Sequence, residues 1–302
     1  MFDTGVVPQP LMTAAAVVTV FTVMFALGLA IDTRDLRWAW ERPWLVARGL
    51  ISVLVVVPFL GVAVARTLGL SLEAQVGVAL MAISPGAPVA LRRSLDAGSR
   101  QSFAAVLQVL VGLLAIVSMP LSVKALNGLY GTHGSIDPAS VMRQVFTAQL
   151  LPIGIGLTMR RTASTLALRI EPAVRRTSGA MLMGLVLLVV AAIWPVAVGA
   201  APRTVAAAVV VTVLAVAIGH ILGAPDSDTR TAVAVSSALK NPGLALLVAT
   251  RNHVPPAVTA NVLAYLLCAA VLVTMYVAWR RRSQPRAAGD APDTPATVRP
   301  PS

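Results

Sequence analysis

A single lysine is the residue in this chain best placed to do chemistry. Lys240 lies in a segment, Ala232 to Ala249, that carries no other charged residue. At the centre of a membrane-spanning helix, a lysine costs about 2.5–3.5 kcal/mol on insertion scales, so it is expected to face a cavity or a partner. Three interpretations remain open. The side chain extends back to a membrane interface, it titrates as a proton carrier, or its positive charge faces an anionic substrate.

Two apolar stretches are interrupted by the same Pro-Gly dipeptide, and Lys240 lies beside the second one. The first break reads Ser84-Pro85-Gly86-Ala87-Pro88, and the second reads Lys240-Asn241-Pro242-Gly243. A proline removes a backbone donor and clashes with the preceding turn, so each stretch is predicted to be a helix broken near its middle. In hydrocarbon the freed backbone groups find no water, so such breaks persist only inside protein or beside a wet cavity. Corresponding Pro/Gly breaks in two halves of a membrane protein indicate a transporter's binding site.

The candidate substrate- and ion-binding residues lie at the two breaks, with one polar residue on another helix. They are Ser84, Ala87, Pro88, Gln108, Ser236, Ser237, Lys240 and Asn241. The predicted break residues are Pro85, Gly86, Pro242 and Gly243. Asn241 either caps its broken helix or contacts the ligand, and Gln108 is more typical of interhelical hydrogen bonding. If the glycines let the broken helices cross, helix N-termini point into the crossing and favour anions.

Several classes of protein are not expected from these residues. None of the 12 acidic residues lies mid-span, which argues against a carboxylate proton relay or a paired-carboxylate active site. The serines at the breaks have no histidine at helical spacing, so an intramembrane serine hydrolase has little support. The only cysteine is Cys268, and the three histidines are scattered, so no metal cluster and no cofactor is predicted. The chain is therefore not expected to be an enzyme.

The composition is that of an integral membrane protein. The 302 residues are 57% hydrophobic and 12% charged, whereas a soluble domain carries about 25% charged residues. The net charge of +12 is compatible with nucleic acid binding, but the arginines cluster in short loops, where they act as topology signals. Membrane lipids are expected partners, and nucleic acid is not.

About nine helical spans are predicted, at about 20 apolar residues each. They lie near residues 10–31, 43–65, 72–96, 101–126, 138–159, 177–200, 204–223, 230–250 and 256–279. Basic residues are concentrated in alternate connections and after the last span, as in Arg280-Arg281-Arg282. This asymmetry predicts a cytoplasmic C-terminus and an external N-terminus in the cell membrane. Residues 1–282 form the transporter domain, and the Pro/Ala-rich segment 283–302 is predicted to be a disordered cytoplasmic tail.

An odd number of spans fits an inverted repeat of five plus five helices that lacks its first helix. The two halves would cover about residues 10–126 and 138–280. The broken spans are then the third and the eighth, each the fourth helix of its own half.

In order and spacing, these motifs resemble those of the bile acid:sodium symporter superfamily over most of the chain, to about residue 280. Residues 23–29, Val-Met-Phe-Ala-Leu-Gly-Leu, resemble the family's Met-Phe-Gly-Met-Gly-Leu opening helix, and Pro43 follows a charged loop as in the family. Residues 83–87 resemble its Cys-Pro-Gly-Gly break, and residues 240–245 its Gln-Asn-Ser-Gly-Leu-Ala break. The resemblance implies a core domain with two crossing broken helices, packed against a panel domain. It also implies movement of organic anions by alternating access.

The chain departs from the family at the positions that the resemblance gives to sodium ligands. A Ser-Asn pair is replaced by Ala90-Leu91, a glutamine on an earlier helix by Val53, and a glutamate by Ser236. Lys240 stands where the family has a second glutamine. A lysine ammonium there could occupy the vacated cation space, so sodium is not the expected partner. The prediction is a secondary transporter of a small organic anion, coupled to protons through Lys240 or uncoupled. A conventional sodium symporter with displaced ligands, and a transporter-like receptor or scaffold, remain as alternatives.

Overall fold

A computed structural model describes residues 9–31, 41–86, 88–131, 136–198, 202–252 and 254–283. Every regular element in these ranges is helical. Five helices in the described part of the chain are long and apolar enough to cross a membrane. They cover Pro43–Thr67, Gln101–Tyr130, Pro202–Leu222, Ser227–Arg251 and Pro256–Ser283. The all-helical membrane architecture is thus confirmed, whereas the count of nine spans stays a prediction.

The N-terminal half begins with a long helix and contains the first broken pair. Its helices are α1 (Gln9–Ala30), α2 (Pro43–Ile51), α3 (Val57–Thr67), α4 (Leu72–Ile83), α5 (Pro88–Asp96) and α6 (Gln101–Tyr130). A π-helical turn, Ser52–Val56, joins α2 to α3, so that Pro43–Thr67 is one continuous helical span. The chain leaves helical geometry after Ile83 and resumes it at Pro88, so the predicted first break is present.

The C-terminal half contains the second broken pair. Its helices are α7 (Pro138–Val145), α8 (Leu151–Thr162), α9 (Ser164–Val198), α10 (Pro202–Leu222), α11 (Ser227–Ala238), α12 (Pro242–Arg251) and α13 (Pro256–Ser283). A second π-helical turn, Phe146–Leu150, joins α7 to α8. The second break covers residues 239–241, between α11 and α12, at the predicted place.

The helices pack in two groups. The first group is α1 with α8 and α9, and the second contains both broken pairs together with α3, α6, α10 and α13. The α11–α12 pair lies deepest, since 94% of its most apolar 18-residue window is buried, against 33–56% for the other four candidate spans. Its mean hydropathy in that window, 1.4, is also the lowest of the five. The least apolar span is therefore the one surrounded by protein, where polar side chains find partners.

One predicted boundary differs from the structure. The arginine-rich segment before residue 177 was expected to be a loop, but α9 begins at Ser164 and extends over 35 residues. Charge does not oppose a helix here, because leucine, alanine and arginine are good helix formers and Arg175 pairs with Glu171 one turn earlier at 3.3 Å. The predicted tail beyond Ser283 lies outside the described residues.

Candidate functional site

The two helix breaks lie against each other in the interior. At the first break, Ser84 has extended backbone angles, and at the second, Leu239 and Asn241 do too. The Asn241 backbone N–H donates to the Ser84 carbonyl oxygen at 2.9 Å. Both groups were freed by the loss of helical geometry, and each satisfies the other away from water. The two helix breaks therefore meet in a direct backbone contact, which is compatible with the predicted crossing of the two broken helices.

Asn241 holds the two breaks together through its side chain as well. Its Oδ1 accepts from the Leu244 N–H at 3.1 Å, which makes it the N-cap of α12. Its Nδ2 donates to the Gly86 carbonyl oxygen at 3.4 Å. The cap interpretation of Asn241 is thus what the contacts of the described residues show, and ligand contact remains a prediction.

Gly86 gives the first break its shape. Its φ of +80° lies in the left-handed region that glycine adopts without a steric penalty. A Cβ there would also lie 2.7 Å from Nε2 of Gln149, a residue of the second π-helical turn. Gln149 is fully buried, and neither polar atom of its amide has a hydrogen-bond partner among the described residues. An amide of this kind, held against the break, is available to a ligand or a water molecule.

Lys240 is buried and makes a specific contact. Only 2% of its surface is exposed, and its Nζ donates to the Val53 carbonyl oxygen at 3.0 Å. Val53 lies in the first π-helical turn, 187 positions away in the chain. The interpretation in which the lysine extends to a membrane interface therefore does not describe this structure. The Nζ atom is bound in the interior, by a carbonyl group.

The Val53 carbonyl is available because a proline lies five residues later in the chain, at Pro58. In an α-helix it would accept from the Val57 N–H, but that group donates to Ser52 oxygen, five residues back. A continued π-helical ladder would offer the N–H of residue 58, and that residue is Pro58, which has none. The register shift and the proline together leave the Val53 carbonyl to the lysine. The turn is a local backbone defect of the kind that is frequent at functional sites.

Four further predicted residues are buried in the interior. Ser237 is fully buried, and its hydroxyl lies 2.8 Å from that of Ser52, next to Val53. The Ser84 hydroxyl donates to the Leu80 carbonyl oxygen at 2.7 Å within its own helix. Ser236 and Gln108 are both buried. The structure therefore places Ser84, Ser237, Lys240 and Asn241 at or beside the crossing.

The other predicted residues lie at the ends of the two breaks. Ala87 lies outside the described residues. Pro88 is the first residue of α5. The break residues Pro242 and Gly243 open α12 and are buried. A Cβ on Gly243 would lie 2.6 Å from the Val20 side chain, which places α1 directly over the second break.

Two contributors to the site were missed from the sequence. The Val53 carbonyl is a backbone group, and the residue type at that position gives no indication of it. Gln149 lies in the span predicted near residues 138–159, and the sequence predicts no role for its side chain. The sequence signal for both groups is a proline inside a span. The dipeptides Val57-Pro58 and Leu151-Pro152 each directly follow a π-helical turn. Among the described residues, no group of three or more metal-binding side chains is present.

The sequence of the chain can be compared with those of known proteins. The profile of the Sodium Bile acid symporter family matches residues 17–199, which is more than half of the sequence. The chain belongs to the Sodium Bile acid symporter family. The match extends from α1 to the end of α9, and it includes the first break but not the second.

Relatives of this family member are named as transporters. It is 24% identical over 251 residues to the uncharacterized sodium-dependent transporter YocS of Bacillus subtilis (strain 168), covering 79% of this chain and 75% of that protein. It is 27% identical over 135 residues to the probable chloroplastic sodium/metabolite cotransporter BASS2 of Oryza sativa subsp. japonica, covering 45% and 32%. It is 23% identical over 151 residues to the probable chloroplastic sodium/metabolite cotransporter BASS3 of Arabidopsis thaliana. That alignment covers 50% of this chain and 34% of the relative.

These alignments span about a third of the length of each plant relative and three quarters of the bacterial one. Family membership and the apolar helices together identify this chain as a multi-pass membrane protein of the symporter family. The family is made up of transporters, which fits the expectation that the chain is not an enzyme.

Proposed function

We propose that this protein moves a small organic anion across the cell membrane by alternating access, without sodium, and that the Lys240 ammonium takes the place of a bound cation. The observation that carries the proposal is the 3.0 Å bond between Lys240 Nζ and the Val53 carbonyl oxygen. Both positions are those at which the resemblance gives the family a sodium-ligating glutamine. Lys240 therefore supplies a positive charge, and Val53 supplies the oxygen that contacts it. Both lie where the resemblance predicts a sodium site in the family.

The electrostatics at the crossing favour an anion. The second halves of the two broken pairs, α5 and α12, begin at the breaks, and a helix N-terminus carries a partial positive charge. The Lys240 ammonium adds a full charge, and its recorded partner in the described structure is a neutral carbonyl. An ammonium has three donors, so one bond to Val53 leaves two for a substrate or for water. An anion at the crossing would offset this positive charge.

The architecture proposed with this function is the full inverted repeat. The order of the helices is consistent with nine spans arranged as two repeats, near residues 10–126 and 138–280. The α1–α8–α9 group corresponds to a panel domain, and the group with the broken pairs corresponds to a core domain.

The proposed orientation places the N-terminus outside and the C-terminus in the cytoplasm, and we expect reporter thiols to confirm it. With Cys268→Ala as background, a thiol introduced by Asp137→Cys before α7 should react with an impermeant reagent from outside intact cells. A thiol introduced by Gly98→Cys, between α5 and α6, should react only after the cells are opened. Equal labelling of both thiols from outside would contradict the orientation.

Conventional sodium symport is the second candidate, and a specific observation favours it. The relatives are named as sodium-dependent or sodium/metabolite transporters. Under this alternative, backbone carbonyls at the breaks would supply sodium ligands that the side chains at Val53, Ala90 and Ser236 do not. A receptor or scaffold that moves nothing is the third possibility, and an absence of flux would support it.

Sodium replacement distinguishes these candidates. We expect that uptake into proteoliposomes will change less than twofold when sodium is replaced by potassium or choline. The substrate is first found by a thermal-shift screen of organic acids, run with and without sodium. We expect uptake to be independent of sodium because Ala90, Leu91 and Ser236 supply no set of side chains able to replace the hydration shell of the ion. A saturable sodium requirement for uptake would overturn the sodium-independent mechanism.

A further inference from the structure

A second feature, whose lining does not include Lys240, has the character of a binding site. A cavity of about 350 Å³ lies between α1, α12 and the segment formed by α7 and the second π-helical turn. Ligand sites in proteins range from about 300 to 1,000 Å³, so this volume suits a small molecule. Its lining consists of Val17, Ser140, Arg143, Gln144, Thr147, Ala148, Leu247 and Arg251.

The lining is polar on one side and positively charged. Arg143 and Arg251 come from different helices, and both side chains are exposed. The lining residues include no carboxylate. Asp137, the acid at the start of α7, is occupied as an N-cap, since its oxygens accept from the Ala139 and Ser140 N–H groups at 3.1 and 2.9 Å. Two guanidinium groups facing one cavity without an acid are suited to a carboxylate or another small anion.

A buried amide completes the polar side. Gln144 is 6% exposed, and its Nε2 lies 2.9 Å from the Ser140 hydroxyl. Its Oε1 has no partner among the described residues. A buried acceptor of this kind is normally satisfied by a ligand or by water. The cavity therefore combines two cations with one acceptor, as an organic acid with a polar substituent requires.

The cavity also lies next to the crossing. Val17 lines it, and one turn further along α1 the Val20 side chain covers Gly243 at the second break. On the opposite wall, Ala148 lines it, and the adjacent Gln149 contacts Gly86 at the first break. Arg251 is nine residues beyond Pro242, which is ~13 Å along a helix at 1.5 Å per residue.

We infer that this cavity is an anion-recognition vestibule, in which Arg143 and Arg251 bind the carboxylate of the substrate before it reaches the helix crossing. The inference rests on the proposed function and adds to it a first binding position and a size limit. In the proposed orientation, both arginines lie toward the external side. A cavity of 350 Å³ selects small organic acids over large amphipathic anions.

The charge of the vestibule can be measured without knowing the substrate. In a Cys268→Ala background, Ser140→Cys places a thiol in the lining, and its rates of reaction with a sulfonate-bearing and a trimethylammonium-bearing methanethiosulfonate are compared. We expect the anionic-to-cationic rate ratio to fall about tenfold or more when Arg143→Gln and Arg251→Gln are added, since two nearby charges are removed. The control, Arg66→Gln with Arg203→Gln, removes the same charge elsewhere and should change the ratio less than twofold. An equal change in both pairs would overturn the proposal.

Carboxylate recognition is tested on the same thiol with benzoate as probe and benzyl alcohol as its uncharged counterpart. Benzoate should slow the reaction in non-ionic detergent, only while both arginines are present, and benzyl alcohol should not. Equal slowing by both solutes, or by neither, contradicts carboxylate binding. The benzoate effect should persist in phosphatidylglycerol nanodiscs, and its loss there would assign the arginines to a lipid head group instead. None of these rates requires transport, so an absence of flux would overturn the proposed function and leave the vestibule standing.

Discussion

Replacing Lys240 with glutamine is expected to abolish uptake, and the loss of its hydrogen bond to Val53 alone accounts for about 10- to 100-fold. A hydrogen bond to a charged group contributes about 1.5–3 kcal/mol, and each 1.4 kcal/mol is tenfold in a rate or an equilibrium. Lys240→Gln removes both the charge and the ammonium donor to Val53. It restores the residue type that the resemblance gives this position, but not the other sodium ligands. The variant should therefore not become sodium-dependent.

The matched control is Lys124→Gln. Lys124 is the other lysine of the chain, and it is exposed on α6, so its replacement should leave uptake within twofold of the wild type. Thermal unfolding of both variants in detergent separates loss of transport from loss of folding. Normal uptake by Lys240→Ala would show that the lysine has no part in the mechanism.

A pH gradient distinguishes the two uses of the Lys240 charge. If the lysine releases its proton in each cycle, a gradient imposed across proteoliposomes drives substrate accumulation, and Lys240→Arg is inactive because arginine does not deprotonate. If the charge only holds the anion, the gradient drives nothing and Lys240→Arg retains part of the binding. Accumulation driven by pH in the Lys240→Gln variant would contradict both uses.

Replacing Pro58 with alanine is expected to lower uptake about tenfold or more, although the residue is not predicted to contact the substrate. Alanine supplies the missing N–H, which allows the helix to regain α-helical register and the Val57 N–H to return to the Val53 carbonyl. That carbonyl is the acceptor of the Lys240 ammonium. Uptake is measured in proteoliposomes. Because Lys240→Gln abolishes uptake, coupling between the two residues is measured by thermal unfolding in detergent, where the shift caused by Pro58→Ala should differ between the wild type and the Lys240→Gln background.

Pro152→Ala is the comparison for this change. It makes the same substitution after the second π-helical turn, where the Leu151 N–H donates to Phe146 oxygen five residues back. Among the described residues, no lysine contact is present at that turn, so the shift in thermal unfolding caused by Pro152→Ala should be the same with lysine or glutamine at position 240. A shift in thermal unfolding by Pro58→Ala that is unchanged in the Lys240→Gln background would show that the proline acts through the helix alone.

Both breaks and their glycines were predictable from the sequence because their causes are local. Proline forbids a helical hydrogen bond wherever it stands in the chain, and an apolar span without charge is visible in composition alone. The helical segments were found for the same reason. The start of α9 was misplaced because arginine marks topology in a loop and is equally compatible with a helix.

The partner of Lys240 was decided by the tertiary structure. The sequence shows that a lysine in this segment needs a partner, since an unpaired ammonium in hydrocarbon is costly. It does not show that the partner is the carbonyl of Val53, because every residue carries a carbonyl and only the packing of the π-helical turn on α11 selects this one. The same holds for Asn241, whose bond to Gly86 joins residues 155 positions apart. The cavity between Arg143 and Arg251 likewise exists only where separate helices meet. Charge, apolarity and helix breaks are properties of neighbouring residues, whereas contacts between distant backbone groups arise only once the helices have packed.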